Sequence, residues 1–306
     1  MDGLPDSVVI TEVMLRDGLQ NEATMLRTAD KARLATGLVD AGLRSLEVGA
    51  FVNPARVPQM ADTDELLRLL GADLPAQLHT LVFNARGARR AIDAGARQVR
   101  FVVSASEGHS RSNTGAGVAE SLDRIEECAE ILTAAGVRLE ASIATAFVCP
   151  FDGDTPVERV TRLAARLVAI GAEVVHLADT IGAANPGQVR RAVTAVQDQH
   201  PDIPVGLHLH NTYGMAAANA WEAVRLGVRR FDAALGGLGG CPFAPGAAGN
   251  IATDDLVHLF HREGIRTGVD GPKLHHLRDR LADLIGHRLG SALASVPAVP
   301  SPLRAS

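Results

Sequence analysis

VERVTRLAARLVAIGAEVVHLAD, residues 157–179, contains the unit from which the fold is built. Apolar residues at positions 160, 163, 164 and 167 have the spacing of an amphipathic helix. Gly171 then interrupts the run, as glycine does at helix C-termini. The β-branched and apolar run that follows, ending at Asp179, is typical of a buried strand. A helix joined by a glycine to a buried strand predicts one unit of a parallel sheet.

The same unit recurs along the chain. Gly42, Gly95, Gly136 and Gly227 also separate an amphipathic run from a strand-like run. With three further strand-like runs, the predicted strands are residues 8–13, 45–51, 79–83, 99–104, 137–144, 174–179, 205–210 and 228–235. Eight strands that alternate with helices to about residue 264 predict an α/β fold, the (β/α)8 TIM barrel. The alternative is a doubly wound open sheet, and the lack of a GxGxxG turn after the first strand favours the barrel.

The domain organisation is simple. No linker-like or low-complexity stretch interrupts residues 1–270, so we expect a single catalytic barrel there. Residues 271–306 begin with a helical pattern and end in a segment rich in proline, alanine and serine. We therefore expect a C-terminal helical extension followed by a disordered tail.

Composition excludes several classes of protein. The 306 residues are 46% hydrophobic, and 30 Lys and Arg stand against 35 Asp and Glu, a net charge of -5. This acidic balance, without a basic stripe, argues against a nucleic-acid or membrane partner. The N-terminus has no signal-peptide pattern and no apolar stretch reaches the roughly 18 residues of a membrane span, so we expect a cytoplasmic protein. Lys31 and Lys273 are the only lysines, and their positions, in the first helix and the tail, argue against Schiff-base chemistry.

Polar side chains collect where the predicted strands end. They are Glu12, Arg16 and Asp17 after the first strand, Glu47 on the second, Asp179 on the sixth, and His208 and His210 on the seventh. After the eighth strand comes a loop of six glycines that holds Cys241 and is followed by Asn250. Because the carboxyl ends of barrel strands share one face, and barrel enzymes place their chemistry there, these residues predict the active site.

His208 and His210 suggest a metal site. Two residues apart on a strand, they share one face, with backbones about 7 Å apart. Taken alone, the pattern is explained better by a pair of hydrogen-bonded inward histidines. Together with the carboxylate of Asp17 and the amide of Asn250, however, they form a nitrogen and oxygen ligand set without thiolate. That set indicates Mg²⁺ or Mn²⁺ rather than structural zinc.

Arg16 and Cys241 each have two interpretations. Arg16 can form a simple ion pair with Asp17, or it can hold a developing oxyanion with its planar guanidinium. Cys241 can be ordinary loop packing, or a thiol on a mobile glycine-rich lid that donates a proton to the site. Cys128 lies in a helical pattern and is expected to be structural, and the three cysteines form no CxxC pair.

Five motifs of this sequence resemble the 3-hydroxy-3-methylglutaryl-CoA lyase family. They are RDGLQNE at 16–22, FVNPARVPQMAD at 51–62, LADTIGAANPG at 177–187, HLHNTYG at 208–214 and GGLGGCPFAPGAAGNIATDDLV at 236–257. The likeness covers residues 8 to about 270, in the same order and spacing. It implies a metal-dependent TIM-barrel lyase that cleaves 3-hydroxy-3-methylglutaryl-CoA to acetyl-CoA and acetoacetate by retro-Claisen chemistry. It also implies an acyl-CoA substrate as the small-molecule partner and a homo-oligomer, namely a dimer.

The resemblance also implies a role for each site residue. The divalent metal, Mg²⁺ or Mn²⁺, would be held by Asp17, His208, His210 and Asn250. Arg16 would stabilise the enolate, and Cys241 would serve in proton transfer. Glu47 and Asp179 would be catalytic or supporting residues. The base that takes the hydroxyl proton stays open among Asp179, a histidine and a water at the metal.

Other activities are compatible with the same residues. The same chemistry can act on a related acyl chain, for example citramalyl-CoA or a longer 3-hydroxy-3-alkylglutaryl-CoA. A Claisen-condensing synthase is disfavoured because the cysteine-bearing glycine loop belongs to the lyase pattern. A non-catalytic acyl-CoA-binding barrel is disfavoured because it has no need of metal ligands and a thiol.

Overall fold

A computed structural model describes residues 3–240 and 249–296 of the chain. Its centre is a closed barrel of eight parallel strands, which confirms the predicted TIM-barrel architecture. In chain order the strands are β1 (Val9–Glu12), β2 (Ser45–Phe51), β3 (Gln77–Val82), β4 (Gln98–Ser104), β5 (Arg138–Ala144), β6 (Val148–Cys149), β7 (Gly153–Asp154), β8 (Val175–Asp179), β9 (Val205–Leu209) and β10 (Arg230–Ala233). All except β6 and β7 belong to the barrel.

Barrel strands pair in the order in which they follow one another along the chain. The barrel closes where β1 pairs with β10, with Val9 opposite Arg230 and Glu12 opposite Ala233. The two short strands β6 and β7 form an antiparallel hairpin after β5, which the sequence analysis did not predict. Since every barrel strand is parallel, the carboxyl ends of all eight lie at the same mouth.

Among the described residues, eight α-helices lie between barrel strands and two more follow the last strand. They are α1 (Thr28–Asp40), α2 (Thr63–Leu70), α3 (Ala85–Asp93), α4 (Glu107–Thr114), α5 (Val118–Ala134), α6 (Val157–Ala169), α7 (Pro186–Gln199), α8 (Ala216–Arg225), α9 (Thr253–Arg262) and α10 (Gly271–Ile285). In α6 the buried residues are Val160, Leu163, Ala164 and Leu167, the positions that the sequence pattern indicated. Gly171 then adopts a positive φ of 101°, which glycine reaches at little cost. Among the described residues, no helix has the length and apolar character needed to cross a membrane.

The C-terminal helix α10 packs against α1 and α9. Arg278 of α10 is buried and donates to Asp254 of α9 at 3.1 Å. Asp254 in turn accepts a 2.9 Å hydrogen bond from the backbone N–H of Gly236, which follows β10. The predicted extension is therefore attached to the segment after the last barrel strand. Residues 297–306, where a disordered tail is expected, lie outside the described part of the chain.

Candidate active site

The turn that follows β1 presents Arg16 and Asp17 to the mouth of the barrel. Residues Met14–Gly18 form a π-helical turn, in which the backbone N–H groups of Asp17 and Gly18 donate to the carbonyl of Val13 at 2.8 and 3.2 Å. Single π turns are uncommon and occur often at functional sites. This wide turn places two adjacent charged side chains at the end of a barrel strand.

Glu12 holds this turn in place through hydrogen bonds. Its Oε1 accepts the backbone N–H groups of Met14 and Leu235, both at 2.9 Å, and its Oε2 accepts the hydroxyl of Thr253 at 2.7 Å. Burial raises the pKa of Glu12 to about 7, although these three hydrogen bonds oppose the change. The side chain thus ties the turn after β1 to the segment after β10. The sequence marked Glu12 as a strand-end residue but gave no indication of this role.

Arg16 is buried between two carboxylates. Its Nε donates to Glu47 and its Nη1 donates to Oδ1 of Asp17. Burial lowers the pKa of Arg16, but the two carboxylates outweigh that effect and raise it, so the guanidinium stays charged. Among the described residues, none accepts a hydrogen bond from the second terminal nitrogen, Nη2. An oxyanion in the adjoining cavity can therefore be bound by this nitrogen.

Asp17, His208 and His210 converge on one point. Oδ2 of Asp17 lies 3.9 Å from Nε2 of His208 and 3.7 Å from Nε2 of His210, and the two Nε2 atoms are 3.2 Å apart. All three side chains are buried, and the group has the arrangement of potential metal ligands. Burial raises the pKa of Asp17, but Arg16 and the two imidazoles outweigh it and hold that pKa well below its ordinary value. The Asp17 carboxylate is thus available as an anionic ligand.

Asn250 completes the group. Its Nδ2 donates to Oδ2 of Asp17 at 2.7 Å and to the carbonyl of Leu238 at 3.1 Å. Its Oδ1 is buried and has no hydrogen-bond partner among the described residues. An unpartnered buried amide oxygen costs free energy unless something binds it. This oxygen, the Asp17 carboxylate and the two imidazoles suit a divalent cation such as Mg²⁺ or Mn²⁺.

Asp232 on β10 orients His208. The Asp232 carboxylate lies 3.3 Å from Nδ1 of His208, and the two residues are opposite one another in the β9–β10 register. When Nδ1 carries the proton and donates a hydrogen bond to Asp232, Nε2 is unprotonated and is the ligand atom that lies near Asp17. A carboxylate in this position is a usual partner of metal-binding histidines. The sequence analysis did not single out Asp232, although it stands one strand away from the His-x-His pair.

Glu47 and Asp179 are both buried but face different groups. Glu47 contacts Arg16 directly. Asp179 contacts its own loop: its Oδ1 accepts backbone N–H groups of Ala183 and Ala184 at 3.0 and 3.2 Å, and its Oδ2 also accepts from Ala184 at 3.1 Å. Burial raises the pKa of Asp179 to about 6, and these backbone donors oppose the change. Asp179 therefore shapes the loop after β8.

A cavity of about 550 Å³ opens above these residues. Arg16, Asp17, His208 and His210 line it, together with polar and apolar residues from the segments that follow β2, β3 and β4. Lys31 lies elsewhere, with its Nζ 2.6 Å from Oδ1 of Asp62. Lys273 also lies elsewhere, because its Nζ donates to the carbonyl of Asp40 at 3.0 Å. The expectation that neither lysine serves the chemistry agrees with these positions.

Cys241 lies outside the described residues, so its role stays a prediction. The other two cysteines are buried. Cys128 is part of α5, and burial raises its pKa to about 11. Cys149 donates to the hydroxyl of Ser106, with 2.8 Å between Sγ and Oγ.

A closed parallel barrel with a carboxylate, two imidazoles and a guanidinium at its C-terminal mouth defines a TIM-barrel enzyme with a candidate metal centre. The chain belongs to the HMGL-like family, whose family model matches residues 7–281. The resemblance inferred from the five motifs is thereby confirmed, and the chain is an enzyme of this family of carbon–carbon lyases.

Two relatives illustrate the range of the family. The chain is 45% identical over 294 residues to the (R)-citramalyl-CoA lyase of Chloroflexus aurantiacus, with 93% of each chain covered. It is 39% identical over 293 residues to the hydroxymethylglutaryl-CoA lyase of Pseudomonas mevalonii, covering 94% of this chain and 97% of that protein.

Solved structures agree with this assignment. The HMG-CoA lyase of Bacillus subtilis superposes with a TM-score of 0.92 at 35% identity, covering 96% of this chain and 98% of that one. The HMG-CoA lyase of Acinetobacter baumannii, in complex with coenzyme A and 3-methylmalate, superposes with a TM-score of 0.91 at 38% identity, covering 98% of this chain and all of that one.

Proposed function

We propose that this lyase cleaves the C2–C3 bond of a 3-hydroxy-3-methylacyl-CoA thioester and releases acetyl-CoA. The observation that carries the proposal is the cavity, in which the Arg16 guanidinium lies beside the Asp17, His208 and His210 group. A cationic donor next to a candidate divalent-metal site suits a reaction in which a hydroxyl loses its proton and an enolate forms.

The bond changes follow from the chemistry of the substrate. A base removes the C3 hydroxyl proton, C3 becomes a ketone carbonyl, and the C2–C3 electron pair moves onto the thioester as an enolate. Arg16 stabilises the charge of that enolate. A proton added at C2 then gives acetyl-CoA. No electron is gained or lost, so the reaction needs no redox cofactor.

A divalent cation would be held by Asp17, His208, His210 and Asn250. When bound, the ion would supply positive charge that lowers the pKa of the substrate hydroxyl. Asp17 and the two imidazoles would hold that ion beside Arg16, which contacts Asp17. Both oxygens of Asp179 are occupied by backbone N–H groups, and this residue is not among the described residues that line the cavity. These contacts support a histidine or a water as the base, with Asp179 and Glu47 as supporting residues.

Two substrates differ in the chain attached to C3. With 3-hydroxy-3-methylglutaryl-CoA the ketone product is acetoacetate, and the 39% identity to a hydroxymethylglutaryl-CoA lyase supports this substrate. With citramalyl-CoA the product is pyruvate, and the 45% identity to a citramalyl-CoA lyase supports this alternative. The two acyl groups differ by one methylene between C3 and the carboxylate. In a pocket, one methylene changes specificity by about 10- to 200-fold.

Kinetics with both thioesters decide between the two substrates. With Mg²⁺ or Mn²⁺ present, we expect one of them to be cleaved with a kcat/KM at least about tenfold higher than the other. Formation of acetyl-CoA is followed together with acetoacetate or pyruvate. Malonyl-CoA, which lacks a C3 hydroxyl, is the negative control. If the protein binds both thioesters and produces acetyl-CoA from neither, the proposed activity on these two substrates is wrong.

We propose Cys241 as the donor that protonates the enolate carbon. The preceding residue, Gly240, lines the cavity, which supports this assignment. Cys241→Ser should keep its fold and its metal but lose about two orders of magnitude in kcat, because a hydroxyl is a far weaker acid than a thiol and proton transfer contributes on that scale.

Cys128→Ser is the matched control for this variant, because Cys128 is buried in α5. It should keep the parental kcat per folded molecule. Alkylation should inactivate the parent enzyme and Cys128→Ser at the same rate. A Cys241→Ser variant with the parental kcat would show that another group protonates the enolate.

A further inference from the structure

A buried arginine lies inside the barrel and is among the residues that line the active-site cavity. Arg100 on β4 is 2% exposed, and its register partner on β5 is Glu140. Charged residues are almost never fully buried unless they are paired. The contacts of this side chain therefore show what it holds in place.

Arg100 contacts three carboxylates. Its Nη1 lies 2.6 Å from Oδ2 of Asp232 and 3.3 Å from Oε2 of Glu47. On the other side of the guanidinium, Nε and Nη2 donate to Oε2 of Glu140 at 3.3 and 3.0 Å. One planar side chain thus joins β2, β5 and β10, which lie at different positions around the barrel.

Two of these carboxylates also contact the residues that carry the chemistry. Oδ2 of Asp232, which Arg100 contacts, is the atom that lies 3.3 Å from Nδ1 of His208. Glu47 uses its other oxygen, Oε1, to accept from Nε of Arg16. Arg100 is therefore connected to two residues of the site through one intermediate each. Glu47 connects it to Arg16, and Asp232 connects it to His208.

Residues of β8 and β9 complete the polar cluster around Arg100 and leave space for it. His176 on β8 lies between Glu140 and Asp232, and its Nε2 is 3.1 Å from Nη2 of Arg100. A Cβ atom on Gly206 of β9 would lie 2.5 Å from Nδ1 of His176, so no larger residue fits there without moving this imidazole. The interior at this level is a polar cluster in place of the branched apolar side chains that usually fill TIM barrels.

We propose that Arg100 is a positioning residue that sets the orientation of Arg16 and His208 together, through Glu47 and Asp232. The proposal rests on the proposed function. Without the shared guanidinium, the carboxylates of Glu47 and Asp232 would repel each other across a buried space. Arg16 and His208, which contact these carboxylates, would then shift as well. Lysine keeps the charge but has a single ammonium, which cannot match the fork that contacts several carboxylates at once.

The test is Arg100→Lys, measured in two ways. The metal-free protein is titrated with Mn²⁺ alone, with binding followed by electron paramagnetic resonance. Steady-state kinetics are then measured with the thioester that the parent enzyme cleaves. We expect Mn²⁺ affinity to fall about 10- to 100-fold, the usual cost of losing support behind a metal ligand. We expect kcat per folded molecule to fall at least about tenfold, with a smaller change in KM.

Arg90→Lys is the control, because Arg90 forms an ion pair with Asp64 on the outside of the barrel at 2.7 Å. It should change neither Mn²⁺ affinity nor kcat.

If Arg100→Lys folds and keeps the parental kcat and Mn²⁺ affinity, Arg100 contributes only to stability and the proposal is wrong. If Arg100→Lys does not fold, the Mn²⁺ titration is carried out on Asp232→Asn instead. A parental Mn²⁺ affinity in Asp232→Asn overturns the proposal. A parent enzyme that cleaves no thioester would refute the proposed function instead, while the Mn²⁺ titrations would still decide the role of Arg100.

Discussion

Arg16→Lys should lower kcat by about two orders of magnitude or more, the scale on which one oxyanion donor contributes to catalysis. The lysine ammonium keeps the charge but cannot contact Glu47, Asp17 and an enolate from one rigid plane, as the guanidinium can. Since the enolate charge develops in the transition state, the loss should fall mainly on kcat and less on KM.

The control for this variant is Arg33→Lys, in which the replaced side chain forms a half-exposed ion pair with Asp30 on α1. It should leave kcat unchanged. Steady-state kinetics of both variants, with metal content measured in each, separate a catalytic loss from a loss of metal. An Arg16→Lys enzyme with raised KM and unchanged kcat would assign Arg16 to substrate binding alone.

Asp17→Asn should abolish turnover, with a loss of about 10³-fold or more, because a metal site of this type supplies several kcal/mol to the reaction. Asp17 is the single anionic side chain among the four predicted ligands. Its replacement by an amide keeps the shape of the side chain and removes the charge that holds a divalent cation. The variant should fold, as measured by circular dichroism and thermal unfolding.

Chelation tests the same site in the parent enzyme. EDTA should inactivate it, and Mg²⁺ or Mn²⁺ should restore activity to the parent but not to Asp17→Asn. Full turnover by the chelated parent, with metal content shown to be close to zero, would contradict the metal assignment.

The sequence predicted the barrel because each of its units is local. In α6 and β8 the helix, its terminal glycine and the buried strand lie within a few tens of residues, and burial follows the pattern of apolar side chains. The same is true of His208 and His210, whose common face follows from the period of a strand. Since all barrel strands are parallel, the position of Asp17 after the first strand predicted that it lies at the same mouth of the barrel as the two histidines.

What the sequence did not reveal depends on contacts between distant parts of the chain. Arg100 and Asp232 are 132 positions apart, and their pairing depends on the closed barrel and its register. An arginine with apolar neighbours on both sides, as in QVRFVVS of β4, was the available signal. The π turn at Met14–Gly18 and the contacts of Asp179 with the backbone of the loop after β8 depend on loop geometry, which residue patterns do not specify.

Cleavage in D₂O tests the central claim most directly. Metal-loaded enzyme is incubated in D₂O with the thioester that it cleaves, and the acetyl-CoA product is analysed by mass spectrometry. If C2–C3 cleavage gives an enolate that an exchangeable donor protonates, each acetyl-CoA carries one deuterium in its methyl group, and chelated enzyme forms none. Release of free coenzyme A without acetyl-CoA, or acetyl-CoA without deuterium, would contradict an enolate-forming carbon–carbon lyase.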